Sequence, residues 1–521
     1  MTHAPTARTG RKKKVVLFLP SRVDPSIGDL PSADLLPLEM LHIAPVAEKL
    51  GWDVVLIDAM TEPDYLEQTL AACEGAAVFG SSCILGYQVW DGAQVARAVR
   101  ERFPHIQMIW GGWFPSAIPE LYLNSEICDA VAIGQGEVTF GEYLQAVENG
   151  TPLEKVQGLA LKRDGQMIFT GRRATVHVNE LPEPSFHLID LQKYYELQKR
   201  TAKYGNRVRN RLPPPHHLAN KPHRGFSYFS SFGCPEPCSF CCSPELAGRR
   251  WVALDADVLV DRLAVIHKKD PFDVLRFQDA NFGVAKKRMQ DFCEGLLSKG
   301  LNINWNGTIE IKQICQYDWD TLKLMKRSGN HLNWFGAESA TEETQKLMRK
   351  GIRAGQTNEA MRRMHELDIK SGLTYIIGYP GETVESMYET IYEAADMKTR
   401  YPSCSVEVFP YRPIPGSEFW KPSVEQNAYP VPTTFEQWGK FFDYKFNSWW
   451  GVVPPEVQKV WSRFTQMAPW FDGLAGGRGP VSMILRKSAG ARLRHRVWKA
   501  PIEFQAFDLI RRSMGPVSKY I

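Results

Sequence analysis

Four of the ten cysteines in this 521-residue chain fall between Cys234 and Cys242, while the other six are scattered singly. The spacing Cys234-x3-Cys238-x2-Cys241 puts three thiols on one short loop, directly after a run that reads as a strand. Three thiolates so placed can each hold one iron of a [4Fe–4S] cluster, which leaves the fourth iron open to a substrate or cofactor. Zinc is the plain alternative, since soft sulfur ligands suit both metals. A closed zinc site, however, needs a fourth ligand and usually shows paired C-x2-C knuckles. Cys242 is not expected to serve the same metal as Cys241, because adjacent side chains diverge; it reads as a local core residue or as one that backs the metal's ligands. A disulfide scaffold does not fit so few cysteines in so long a chain, and a clustered set in a reducing compartment points to metal binding.

The rest of the chain is organised around that loop. Before it, short apolar runs alternate with helical patterns: Val15–Leu19, Val54–Ile57, Ala76–Phe79, Met108–Trp110 and Ala130–Ile133 read as buried parallel strands. Amphipathic stretches at 38–50, 62–73, 87–103 and 137–149 separate them. Such units make a doubly wound α/β sheet over 1–150, whose ligands bind outside the carboxyl ends of the strands. The loops there read Pro20-Ser21, Gly80-Ser81-Ser82, Gly111-Gly112-Trp113 and Gly134-Gln135-Gly136-Glu137. Glycines at three of four ends let backbone approach a large ligand closely, although any one of them could simply serve a tight turn.

Residues 151–224 read as a connector, with a hairpin of Val156–Leu161 and Met167–Phe169 around Asp164-Gly165 and an extended Leu181-Pro182-Glu183-Pro184. Lys199 to Arg224 carries eight Lys or Arg, no acid and Pro213-Pro214-Pro215, and reads as a solvated loop or as a lid for an anionic ligand. From 225 to 420 the alternation resumes, with strands expected at Phe226–Ser230, Val274–Phe277, Asn302–Asn306, Leu332–Gly336, Leu373–Ile377 and Val406–Pro410. Helices are expected at 256–268, 285–299, 319–328, 355–367 and 385–398. Six units of this kind suggest a partial (β/α)6 barrel of the TIM type, with its chemistry at the carboxyl ends of the strands. Residues 421–521 are rich in aromatics (Trp438, Phe441, Phe442, Trp449, Trp450, Trp461, Trp470, Phe471) and read as helical. No apolar segment is long enough to span a bilayer and no signal region follows the basic N-terminus, so a cytoplasmic protein is expected.

The cysteine loop, with Phe240 just before its third cysteine and a strand ahead of it, resembles the signature of radical S-adenosylmethionine enzymes. Gly336-Ala337-Glu338-Ser339 is similar to that family's fourth-strand segment, which touches the bound cofactor. Gly378-Tyr379-Pro380-Gly381-Glu382 is similar to the turn after its fifth strand, and Pro410–Gly416 to its sixth strand and exit. Gln278-Asp279-Ala280-Asn281 lies where relatives contact the cofactor's amino group, but the glycine–glycine–glutamate form is absent. The front domain resembles the cobalamin-binding domain of one subgroup of the family, the class B methyltransferase-like enzymes, in Ser82-Cys83-Ile84 followed by Gly111-Gly112 and in Gly134-x-Gly136-Glu137, which implies a cobalamin site at Ser81, Ser82, Gly111, Gly112, Gly134, Gly136 and Glu137. The D-x-H-x-x-G form of many cobalamin proteins is missing: the first loop reads Ser21 to Gly28 without histidine, and His42, on an apolar helical face, reads as a packing residue. Cobalamin bound without a protein histidine on cobalt is therefore expected.

The resemblance implies three cofactors: a [4Fe–4S] cluster on Cys234, Cys238 and Cys241, S-adenosylmethionine near Phe240, Asp279, Asn281, Glu338 and Ser339, and cobalamin on the front domain. It implies that a 5′-deoxyadenosyl radical takes hydrogen from an unactivated carbon, which then receives a methyl group from methylcobalamin, with positioning as the protein's main contribution. Oxidative ring closure or rearrangement without methyl transfer is the alternative within the family; a non-catalytic cobalamin or iron–sulfur sensor is the alternative outside it, and the intact loop with Glu338 argues against that. Tyr411 and Arg412, at the end of the last barrel strand, are the candidate substrate contacts; no residue is identified as a proton donor or acceptor. Expected partners are a small or lipid-like substrate and an electron donor such as flavodoxin or ferredoxin, with no nucleic acid, since no binding module accompanies the basic segments. From Arg486 onward there are nine Lys or Arg against Glu503 and Asp508, interleaved with Trp498, Ile502, Phe504, Phe507, Leu509 and Ile510. That tail reads either as core helices closing the barrel or as a peripheral membrane contact.

Overall fold

The computed structural model describes residues 13–513 apart from 25, 27–29, 31, 203–212, 219–220, 428–430, 442–452, 472–478 and 500. Gly28, residues 203–212 and 219–220 of the basic stretch between Lys199 and Arg224, and Phe442, Trp449 and Trp450 lie outside the described residues. The chain divides into two compact units, Met1–Ala280 with Pro413–Asn447, and Asn281–Arg412 with Ser448–Ile521. The two units part at Ala280, within the segment read as a barrel.

The first unit holds β1 (Lys14–Leu19), β2 (Asp53–Asp58), β3 (Val78–Ser82), β4 (Gln107–Gly111), β5 (Ala130–Ala132), β6 (Leu159–Arg163) and β7 (Gln166–Phe169). They form one sheet of order β2-β1-β3-β4-β5-β6-β7. The first five are parallel, as expected. Val15 to Leu19 are all buried, because helices cover both faces of the sheet. Met40 and Ala44 of the helix Leu38–Lys49 and Tyr143 of the helix Glu137–Asn149 share a core with Val15 and Leu17. Phe18 points the other way, stacked on Tyr65 and Phe79 at 5.8 and 6.3 Å.

Two differences from the sequence reading stand out here. The strand expected at Ala76–Phe79 runs on through Gly80, Ser81 and Ser82, which carry no apolar signal; the ladder continues because Ser81 Oγ finds an acceptor in the Phe18 carbonyl at 3.0 Å. The hairpin expected in a connector adds β6 and β7, antiparallel, to the edge of the front sheet. Its two-residue turn needs positive φ at both central residues, and Asp164 and Gly165 have φ of 49° and 79°.

Further along the first unit come β8 (Gly225–Tyr228), β9 (Ser231–Gly233), β10 (Trp251–Ala253) and β11 (Val274–Phe277). β8 and β11 are parallel. β9 and β10 form a small antiparallel ribbon that the sequence reading missed, and the cysteine loop leaves β9 and returns to β10. The helix Phe435–Phe441 also belongs to this unit: Trp438 meets Phe114 edge-on at 4.9 Å and is fully buried.

The second unit holds β12 (Asn304–Thr308), β13 (Asn330–Glu338), β14 (Lys370–Ile377) and β15 (Cys404–Pro410), each parallel to the next. The helices Lys286–Ser298, Trp319–Arg327, Gln356–Glu366 and Val384–Arg400 fall where the amphipathic pattern predicts them. The described part of the aromatic-rich C-terminal stretch is helical as expected, in Pro455–Phe471, Pro480–Arg494 and Ile502–Ser513. Trp461 Nε1 donates to the Val408 carbonyl at 2.7 Å, which seats the first of these helices on β15.

Candidate functional site

The cysteine loop is built from its entry strand outward. After β8 the chain turns at Ser230 and Ser231, and the buried carboxylate of Asp279, just past β11, receives both. It accepts from Ser230 N at 2.7 Å, Ser230 Oγ at 2.5 Å and Ser231 Oγ at 2.7 Å. Three donors on one carboxylate make a strong anchor. Asp279, expected near a cofactor amino group, thus uses its oxygens to set the start of the cysteine loop. Cys234 and Cys238 are buried and Cys241 is partly exposed; Cys241 N donates to the Cys238 carbonyl at 3.2 Å, which closes a turn between the last two thiols. Phe240 lies in that turn, half-buried. Among the described residues no three His, Cys, Asp or Glu side chains converge on a single ion. A cubane does not require that, because each thiolate meets a different iron. Three soft donors on one loop therefore fit such a cluster.

Cys242 opens the helix Ser243–Leu246. Burial, with Cys241 beside it, pushes its thiol well above the ordinary range, and the Trp113 side chain also contacts it. A neutral, buried thiol is the packing residue that the sequence suggested. The far end of that helix is held from the front sheet: Arg172, three residues past β7, donates to the carbonyls of Glu245 and Leu246 at 2.6 and 3.0 Å. Arg172 carried no signal in the sequence.

The strand-end loops of the front sheet make a shelf of small residues. Register pairs Ser82 with Gly111 across β3 and β4, and β5 ends just before Gly134. Gly112 has φ +84°, and a β-carbon there would stand 2.2 Å from Ser82 Oγ, so only glycine fits. Ser116 ties the shelf together, donating to the Ala132 carbonyl and accepting from Gly134 N, both at 3.2 Å. Gly136 precedes the helix Glu137–Asn149; burial raises the Glu137 carboxyl, opposed by the backbone N–H groups of Glu137 and Gly136. Three adjacent strand ends without a side chain larger than hydroxymethyl suit a bulky planar ligand such as cobalamin. Gly134 also faces the Leu246 carbonyl, 3.4 Å from where its β-carbon would stand, so the shelf and the cysteine loop's exit helix adjoin. His42 packs edge-on against Tyr228 and Phe229, and burial lowers its pKa to about 4, as a neutral packing residue would have it.

In the second unit, Glu338 ends β13 with φ +63°, a left-handed conformation rare outside glycine. The strain is over-determined by its neighbours. Ser339 N donates to the Ala337 carbonyl at 2.8 Å, and Gln345 Nε2 donates to the carbonyls of Ala337 and Ser339 at 2.6 and 2.5 Å. The Glu338 side chain folds over Gly336, where a β-carbon would stand 1.9 Å from Glu338 Oε1 and 3.1 Å from Lys350 Nζ. Lys350 Nζ lies 2.9 Å from Glu310 Oε1 and 3.4 Å from Glu338 Oε1, and all three side chains are buried. One ammonium thus serves two carboxylates. Burial, more than the repulsion of Glu310, raises the Glu338 carboxyl, and Lys350 opposes it. Glu310 Oε2 has no hydrogen-bond partner, so an acceptor is left over for an incoming donor, which suits a polar cofactor such as S-adenosylmethionine. Sequence reasoning missed Lys350 and Glu310: each is a single charged residue in a turn or helix cap.

The remaining candidates have mainly structural partners. Ser339 Oγ lies 3.2 Å from Thr390 Oγ1, joining β13 to the helix Val384–Arg400. Asn281, fully buried, accepts from Gly283 N at 3.1 Å. Tyr411 N donates to Ile377 O at 2.7 Å and its ring meets Tyr379 edge-on at 4.8 Å. Arg412 is buried beside it, a cation at the end of β15.

Comparison with known proteins agrees with this geometry. Residues 29–144 match the B12 binding domain family and residues 228–393 the radical SAM superfamily. An uncharacterized methyltransferase of Pyrococcus horikoshii is 26% identical over 66% of this chain and 67% of its own length. The anaerobic magnesium-protoporphyrin IX monomethyl ester cyclase of a Synechocystis species is 26% identical over 68% of this chain and 67% of its own. The fold is that of the radical S-adenosylmethionine methyltransferase TsrM of Kitasatospora setae, solved with cobalamin and a [4Fe–4S] cluster, at a TM-score of 0.62, 16% identity and coverage of 80% of this chain and 76% of that one. The chain is therefore a cobalamin-dependent radical SAM enzyme, with a B12 binding domain ahead of a radical SAM domain, and its cofactors are a [4Fe–4S] cluster, S-adenosylmethionine and cobalamin.

Proposed function

We propose that this enzyme transfers a methyl group to an unactivated carbon of a small or lipid-like molecule. The observation that carries the reading is the meeting, inside one compact unit, of the front sheet's shelf with the cysteine loop: Trp113 beside Cys242, Gly134 beside the Leu246 carbonyl, and Arg172 on the helix between them. When bound, the cluster and S-adenosylmethionine supply a hydrogen-abstracting radical, and cobalamin supplies the methyl group. A short path between the two cofactor loops is what consecutive hydrogen abstraction and methyl transfer need. The methyltransferase relative in Pyrococcus horikoshii supports the same reading.

In it, Cys234, Cys238 and Cys241 hold the cluster with Phe240 packed in their turn, and Asp279 fixes where the loop begins. Ser81, Ser82, Gly111, Gly112, Gly134, Gly136 and Glu137 form the bed for cobalamin. Glu338, with Ser339 and Asn281 nearby in sequence pattern, accepts hydrogen bonds from S-adenosylmethionine; Lys350 holds Glu338 in place. Tyr411 and Arg412 contact the substrate, Arg412 orienting its polar end. An electron donor of the flavodoxin or ferredoxin class and a cytoplasmic setting belong to the same reading.

The test is incubation of anaerobically reconstituted enzyme with reductant, S-adenosylmethionine and candidate substrates. Methylation predicts 5′-deoxyadenosine, S-adenosylhomocysteine and a product one methylene heavier. The cyclase relative in Synechocystis favours a second reading, ring closure or rearrangement. Deoxyadenosine with a product of unchanged carbon count, and no S-adenosylhomocysteine, would establish that one instead.

A further inference from the structure

The last two helices carry a surface that the reaction does not use. On the helix Pro480–Arg494, Leu485, Ala489 and Leu493 are buried and mark its inner face. At helical spacing the opposite stripe runs through Ile484, Lys487, Ala491 and Arg494, and Ile484 is 64% exposed. On the helix Ile502–Ser513, Phe504 is buried and Phe507 meets Trp470 edge-on at 4.9 Å. Ile502 and Leu509, two turns apart on the opposite stripe, are 67% and 71% exposed. The aromatic side chains of the tail thus go inward, as core, while aliphatic ones stand in water beside basic residues.

The charge of the stretch is one-sided. Arg486, Lys487, Arg492, Arg494, Arg496 and Lys499 stand against two acids in the sequence, Glu503 and Asp508, and Ser488 and Arg492 Nη2 occupy Glu503 at 2.6 and 2.9 Å. Exposed aliphatic side chains interleaved with the exposed cations of Lys487 and Arg494 suit a surface that offers both acyl chains and anionic headgroups. An acidic protein would offer the charge without demanding the aliphatic stripe, and nucleic acid offers nothing to it. No helix among the described residues is long and apolar enough to cross a membrane, so the contact is one of lying on a surface.

We infer that the solvent-facing stripes of the helices Pro480–Arg494 and Ile502–Ser513 dock this enzyme on an anionic lipid bilayer. Burying three aliphatic side chains at the acyl boundary adds to the attraction of Lys487 and Arg494 for headgroup phosphate, and neither contribution alone gives stable attachment. The docking does not depend on methyl transfer and is read without turnover.

Flotation of the reconstituted full-length enzyme with vesicles tests it. Vesicles of phosphatidylcholine with phosphatidylglycerol should carry the protein up the gradient, and phosphatidylcholine alone should not. Lys487→Glu with Arg494→Glu should weaken attachment about fivefold for each charge reversed. Ile484→Glu with Ile502→Glu and Leu509→Glu should abolish it, while circular dichroism and bound iron stay as in the parent. Flotation that ignores headgroup charge, flotation unchanged by both variants, or none at all would overturn the inference. So would a concentration-dependent dimer of the parent enzyme that the apolar variant dissolves, since a second copy would then cover the face.

Discussion

The front sheet's shelf and the end of β13 are opposite ways of making room for a cofactor. At the shelf, hydroxymethyl groups and bare glycines leave space, and the few polar atoms there are satisfied by backbone, as in Ser81 to Phe18 and Ser116 to Ala132 and Gly134. At the end of β13, two buried carboxylates share one ammonium, a left-handed glutamate is pinned by Gln345, and an acceptor is left over. A bed for a large ring needs shape, which small residues provide at little electrostatic cost. A grip on a small charged cofactor needs directed polarity, and in a buried place that costs folding stability unless every charge is met.

The sharpest way to break the comparison is Lys350→Met. Removing one partner of a buried ion pair costs about 3–5 kcal/mol, so the urea midpoint should fall, and S-adenosylmethionine binding by equilibrium dialysis should fall with it while cobalt retention stays. A variant that keeps cofactor binding and stability would show the triad to be incidental. Next in size is Gly112→Val. Its branched side chain would strike Ser82, an overpacking worth about 1–3 kcal/mol, and the expected result is the reverse pattern: cobalt lost on gel filtration, iron and S-adenosylmethionine binding kept. Asp279→Ala should come third. It leaves Ser230 and Ser231 donors buried without an acceptor, at about 1–3 kcal/mol, and should lower iron retained per chain after reconstitution, without touching cobalt.

The smallest effect is a pH dependence in the front sheet. Burial raises Asp58 to about 6, against Arg22 and the Met60 N–H, which act the other way. Its folded pKa lies above the unfolded one, so the native state binds the extra proton between the ordinary carboxylate range and about 6. Stability from this group is therefore present at low pH and lost as pH rises through about 6. Asp58→Asn should flatten that part of a stability profile between pH 4 and 7, roughly the window these values define; an unchanged slope would remove Asp58 as its source.

Much of this architecture was legible in the sequence, and the reason is local. The parallel strands of the front sheet are nearly continuous apolar runs because both faces are covered, and the helices keep their period. The cysteine spacing carries its own chemistry. What pattern does not carry is partnership at a distance. Ser81 and Ser82 look like loop until Phe18 supplies an acceptor across the sheet. β6 and β7 read as a hairpin, but nothing local says that β5 is waiting for them. Lys350 gains meaning only from Glu310, forty positions before it, and Glu338. Asp279 reads from the sequence as a contact to the cofactor's amino group, and its partners, two serines on the entry to the cysteine loop, depend on the β8–β11 pairing.

The hold of Arg172 on the carbonyls of Glu245 and Leu246 has a consequence in time. A chain emerging from the ribosome completes its early domains first, so the front sheet, with its closing hairpin and Arg172, is available before Cys234 has been made. The loop that must receive iron then meets a finished clamp for its far end rather than waiting for one. Delivery of iron to the nascent protein is thus free to follow the order of synthesis, and a front sheet weakened by mutation should show its damage first as poor metallation.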